Sequence, residues 1–181
     1  ETVFFGEQSP DGFIYAADAR TGETKWTFRL ADDLGAAPPP DKGDIWGVYR
    51  LPGCYRLEAL ANGDLLVLGV HAWGDWRQPG QIRRRSRIYR LSPAGDVIWA
   101  FPEKAAAPFS LVYADAGREG TRVAALAGDA SADMNMASAE SALKSGDMVV
   151  LDGKTGKAQG AYAFEPLEPF FGKAQFWQSV S

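Results

Sequence analysis

The sequence predicts an all-β protein: a β-propeller of four-stranded antiparallel blades, present in part, with one short helical insertion. Three observations carry this. A turn pattern, A-x-D-x-x-T-G-x-x-x-W, stands in full at Ala16–Trp26 and returns in reduced form at Arg90–Trp99 and Val150–Gly160. The runs that flank each copy are rich in β-branched and aromatic residues, the ordinary signature of a hairpin. Twenty glycines and eleven prolines suit many short strands joined by turns. Self-similarity at intervals of tens of residues marks a repeat architecture, in which each unit buries its apolar face only against its neighbours.

The first copy reads as a strand over Phe13–Ala17, a turn, and a second strand over Lys25–Phe28. Asp18 starts the turn, where its carboxylate can accept from backbone N–H groups two or three residues on. Gly22 supplies the positive φ that other residues reach only at a cost. The second copy is one residue shorter in the turn: Ile88–Leu91, then Ser92 to Gly95, then Val97–Phe101. The third runs Met148–Leu151, Asp152 to Gly156, then Ala161–Phe164, with the tryptophan lost. Trp26 and Trp99 each stand four residues beyond their glycine (22 to 26, 95 to 99). That fixed offset predicts indoles packed against a neighbouring unit rather than against a ligand.

A further hairpin precedes each later copy. Tyr55–Leu60 leads through Asn62-Gly63, a strong tight-turn dipeptide, into Asp64–Val70. Phe109–Tyr113 leads through Gly117–Gly120 into Thr121–Leu126. Two strands plus two make the meander of a propeller blade. The whole of 1–181 thus reads as one partial propeller: a half blade at 1–30, blades at 54–102 and 109–165, and the start of another at 176–181. Propellers need about four to eight blades, so the remaining ones are expected from the same polypeptide or from another chain. The separations between copies, 73 residues (22 to 95) and 61 (95 to 156), exceed a blade period of about 40–50. The excess falls in loops such as 36–44, 73–81 and 102–108, which predicts one face built up by insertions.

The repeat, carried by Asp18, Gly22 and Trp26, by Gly95 and Trp99, and by Asp152 and Gly156, resembles that of the PQQ-type quinoprotein propellers, in which the tryptophan docks one blade on the next. That resemblance implies the fold more than an activity, because quinone-dependent dehydrogenases and non-catalytic envelope scaffolds share it. The stretch Leu57–Val67 with Ile88–Trp99 is also similar to blades of bacterial arylsulfotransferases, which use histidines in a central funnel. A location outside the cytoplasm, in the periplasm, is implied by the resemblance alone.

Composition narrows the function classes. The net charge is −4, from 19 basic and 23 acidic residues, which gives no nucleic-acid footprint. No apolar stretch approaches the roughly 20 residues of a transmembrane helix. Cys54 is the only cysteine, so neither an intramolecular disulfide nor a metal-binding cysteine pair is expected. The resemblance to PQQ dehydrogenases implies a pair of adjacent bonded cysteines, which this sequence lacks. Cys54 itself reads as a small buried hydrophobe near a strand start.

Candidate chemistry is sparse. His71, the lone histidine, follows a strand-like run, and serves as a sulfate acceptor or general base only under the enzyme reading; otherwise it is a satisfied polar residue at a loop start. Trp73 and Trp76 could stack on a sugar, a quinone or a partner side chain, or pack in a loop. Arg83, Arg84 and Arg85, with Arg87 and Arg90, form a basic cluster suited to phosphate, sulfate or acidic headgroups, or else the solvated polar side of an edge strand. A short helix is expected near Met136–Lys144. Asp129, Ser131, Asp133 and Glu140 imitate an EF-hand spacing, but Met134 occupies the position that needs glycine. Met134, Met136 and Met148 lack the histidine support a Cu(I) site would want.

Two classes of function follow. The first is a non-catalytic scaffold propeller of the bacterial envelope that binds a protein partner and carries no cofactor or metal. The alternative is a quinoprotein oxidoreductase, with PQQ and calcium, or an arylsulfotransferase, whose decisive residues lie outside these blades.

Overall fold

A computed structural model of the chain describes residues 1–36, 52–73, 83–103, 111–117, 119–127 and 148–162. The first sheet contains β1 (Thr2–Gly6), β2 (Phe13–Asp18) and β3 (Thr24–Arg29), in that order, and α1 (Ala31–Leu34) follows it. A second sheet holds β4 (Pro52–Ala59), β5 (Leu65–Trp73), β6 (Arg83–Leu91) and β7 (Val97–Phe101) as a meander. The third repeats it with β8 (Leu111–Asp115), β9 (Arg122–Ala127), β10 (Met148–Asp152) and β11 (Ala158–Tyr162). All pairings are antiparallel.

The middle sheet shows why the three stack. Residues 65–71 of β5 are all buried, and a strand apolar on both sides needs a layer over each. Side chains alternate across the pleat, and the two cores follow that parity. Leu65, Val67, Tyr89 and Leu91 pack against Ile14, Leu30 and Leu34 of the first sheet and its helix. Leu66, Leu68, Val70 and Ile88 pack against Val123, Ala125 and Leu151 of the third. Sheets stacked face to face in chain order, each a meander, form a partial β-propeller.

Turn chemistry puts the sheets in common register. Asp18, Ser92 and Asp152 start the last hairpin of each, so β1–β3 correspond to β5–β7. Among the described residues the first sheet has no counterpart of β4.

Some expectations need correcting. β6 lies between β5 and β7, so the basic cluster Arg83–Arg85 begins an interior strand, not a loop and an edge. β5 extends to Trp73, which puts His71 inside a strand rather than at a loop start. The second strand of the third copy starts at Ala158, three residues before Ala161. Helix α1, Ala31-Asp32-Asp33-Leu34, is too short to carry a sequence signal; Leu30 and Leu34 reach down from it onto Gly69. A Cβ on Gly69 would come within 2.6 Å of Leu30 Cδ2 and 3.2 Å of Leu34 Cδ1, the close approach that glycine in a strand interior permits. The expected helix at 136–144, the EF-hand-like residues and the blade start at 176–181 lie outside the described residues. No described helix is long and apolar enough to cross a membrane.

Candidate functional site

The functional geometry lies in the two seams between sheets. Each is pinned by an indole. Trp26, on β3, donates its Nε1–H to the Pro93 carbonyl at 2.9 Å. Trp99, on β7, donates to the Gly153 carbonyl at 2.7 Å. Both acceptors directly follow the residue that starts the next sheet's turn. Both rings also lie on that turn's glycine: a Cβ would meet the indole at 2.7 Å on Gly95 and at 2.6 Å on Gly156. Their backbones have φ values of 91° and 70°, so glycine is required twice over, by conformation and by space.

The turns are built as their residues dictate. Asp18 Oδ1 accepts from the Arg20 and Thr21 N–H groups at 2.9 and 3.1 Å. Asp152 Oδ1 accepts from Lys154 and Thr155 N–H at 3.1 and 2.8 Å, and from the Thr155 hydroxyl at 2.9 Å. Those backbone donors hold the Asp18 carboxyl below its ordinary range. For Asp152 the Thr155 hydroxyl and N–H do the same. Ser92 replaces the carboxylate in the shorter turn, where its Oγ accepts from Ala94 and Asp96 N–H at 3.2 and 3.1 Å.

Arg90 is the residue the sequence reading missed. It belongs to the basic cluster, yet it is buried in the seam between the second and third sheets. Its Nε and Nη2 bond Asp64 Oδ2 at 2.7 and 2.6 Å. Its Nη1 reaches the carbonyls of Gly120 at 2.8 Å and Gly153 at 2.6 Å. The Gly153 carbonyl thus accepts from both Arg90 and Trp99. A buried guanidinium is tolerated when paired and hydrogen-bonded in this way. The signal was available: Arg90 sits two residues before the turn, on the same face as Ile88, an inward parity. Across the same seam, Glu58 Oε2 accepts from Ala116 N–H at 3.2 Å.

The other seam uses the opposite parity. His71 is 4% exposed, and its Nδ1 lies 3.2 Å from the Leu34 carbonyl. A carbonyl only accepts, so this ring nitrogen carries the proton. Arg87 bonds Asp33 at 2.5 Å, donates to the Pro102 carbonyl at 2.7 Å and also to the Glu103 carbonyl. Its guanidinium carbon lies 5.7 Å from the centre of the Tyr89 ring.

The remaining candidates are not gathered into one place. Arg85 pairs opposite His71, and Arg83 opposite Trp73, across β5 and β6. Trp76 lies outside the described residues. Cys54 is on β4 beside Gly6, where a Cβ would meet Cys54 Cβ at 2.5 Å. Burial pushes its thiol up to about 12. Among the described residues there is no group of three or more His, Cys, Asp or Glu that could hold a metal ion.

No protein-family model matches the chain, and no curated protein sequence does. Among solved structures the chain is similar to BamB from Moraxella catarrhalis, with a TM-score of 0.42 and 17% identity over 90% of this chain. It spans 33% of that protein's length. The propeller architecture described above therefore rests on the sheets and their two seams.

Proposed function

We propose that the chain is a PQQ-like, non-catalytic propeller segment that acts as a protein-binding scaffold in the bacterial envelope. The observation that carries this reading is the fate of its polar side chains. His71 is buried on a backbone carbonyl, Arg87 is tied to Asp33, and Arg90 is tied to Asp64 and two carbonyls. The groups that acid–base or sulfuryl chemistry would use fasten one sheet to the next instead. Tyr55 on β4 and Val97 and Ile98 on β7 are each about half exposed, at the two edges of the second sheet. The envelope location is supported by the resemblance of the repeat.

Site-specific photocrosslinking tests the reading. With p-benzoylphenylalanine at Ile98 or Tyr55 in cells that produce the protein, a discrete adduct with an envelope protein is expected. Absence of any adduct, together with quinone absorbance and dye reduction by purified protein supplied with PQQ and calcium, would favour the enzyme reading.

A further inference from the structure

Asn62 and Gly63 close the turn between β4 and β5, and that turn is tied to the buried pair of the second seam. Ala61, Asn62 and Gly63 are exposed, whereas Asp64 is only 6% exposed. The Asn62 side chain folds over its own turn. Its Oδ1 accepts from the Asp64 N–H at 3.1 Å, and its Nδ2 donates to Asp64 Oδ2 at 2.8 Å. The same carboxylate oxygen accepts from Arg90 Nε at 2.7 Å and lies 2.6 Å from Arg90 Nη2. Asn62 therefore supports the charge that orients Arg90 toward the Gly120 and Gly153 carbonyls of the third sheet.

An asparagine before glycine also carries a reactivity of its own. Its amide carbon lies within five-membered-ring reach of the next backbone nitrogen, and glycine has no side chain to hinder the approach. The Asp64 N–H already holds Oδ1, the oxygen on which charge gathers as that nitrogen adds, as an oxyanion donor would. The Gly63 N–H donates to the Leu60 carbonyl at 2.9 Å and must first be released, an opening that exposed turns make at little cost.

We propose that Asn62 is a site of spontaneous deamidation, and that the change loosens the seam between the second and third sheets. The Gly63 nitrogen gives its proton to solvent base and bonds to Asn62 Cγ. The Cγ–Nδ2 bond then breaks, and ammonia leaves with a proton from water. Water opens the resulting succinimide at either carbonyl, which leaves aspartate or isoaspartate at position 62. No oxidant or reductant takes part. Both products remove a donor from Asp64 Oδ2 and add a carboxylate to the turn. Isoaspartate also adds a backbone carbon between β4 and β5. The site is independent of the scaffold role.

Peptide mapping by mass spectrometry, on the full chain stored in mildly alkaline buffer, reads the reaction. The chain has two asparagines. The amide-to-acid mass gain is expected at Asn62 before Asn135, whose next residue is Met136, and Asn62→Gln should suppress it. The seam is read on Asn62→Asp, the product made directly. Exchange of the Trp99 indole proton, held on Gly153, should quicken about tenfold or more, the worth of one hydrogen bond to a charged group. Amides of β2 in the first sheet should keep their rates. If Asn62→Asp does not fold, the deamidated fraction of the stored protein, separated by its extra charge, gives the same reading. No mass gain at Asn62, or a gain at Asn135 first, overturns the proposal. So does Trp99 exchange that is unchanged, or that quickens no more than exchange in β2.

Discussion

The Trp99 indole lies directly on the Gly156 backbone, with its Nε1–H on the carbonyl three residues earlier in the same turn. Truncating it opens a cavity between the second and third sheets and leaves the Gly153 carbonyl one donor short. Trp99→Ala should cost about 3–5 kcal/mol, the range for deleting a buried aromatic side chain. Trp26 is only half-buried, so Trp26→Ala should cost less, about 1–3 kcal/mol on the same basis. Urea denaturation of the two variants checks the order.

Arg90 and Asp64 form a buried pair, so removing either partner leaves a charge without compensation. Asp64→Asn and Arg90→Leu should each destabilise by about 3–5 kcal/mol. Arg90→Leu also strips a donor from Gly120 and Gly153. Replacing both together by apolar residues should cost less than the sum of the single changes. Equilibrium unfolding of the three variants measures it.

The strand pattern and the turns were legible in the sequence because they are local. Asp18, Gly22, Gly95 and Gly156 each announce a reversal through their own backbone chemistry, and the four-residue offset to Trp26 and Trp99 follows from the hairpin. What lay beyond reach depends on contacts between distant segments. The inward parity of Arg90 beside Ile88 was legible, but its acceptors, the Gly120 and Gly153 carbonyls, were not. His71 reads as a loop residue until β6 extends β5 to Trp73 and α1 places the Leu34 carbonyl against its Nδ1. Helix α1 is too short to carry a periodicity, and only Gly69, a glycine in an otherwise apolar strand, hinted at something packed close.

Cys54 should be chemically quiet. Burial pushes its thiol up to about 12, and the thiolate is the reactive form. Native protein at pH 8 should therefore react with an aromatic disulfide reagent at least about a hundredfold more slowly than protein unfolded in urea, whose thiol titrates near 8.5. Equal rates in the two states would show that the β4 edge opens freely.

The turn carboxylates give an acid limb of known sign. Asp18 and Asp152 have lowered pKa values in the folded protein, so their contribution is complete above the unfolded carboxyl range and is lost as pH falls through the folded values. The urea midpoint should fall as pH drops below about 4. Asp152→Asn should lower the midpoint at pH 7 and shrink its fall on acidification. A fall of unchanged size would remove Asp152 from the account.

The central claim is that an indole and a turn glycine act as one joint at each seam. A double-mutant cycle on Trp99→Ala and Gly156→Ala tests it most directly. With the indole present, Gly156→Ala adds a collision to its backbone strain; without the indole, only the strain remains. The two changes should therefore couple by about 1–3 kcal/mol, as contacting residues do, and Trp26→Ala with Gly95→Ala should couple in the same sense. Strict additivity in both cycles would contradict the account.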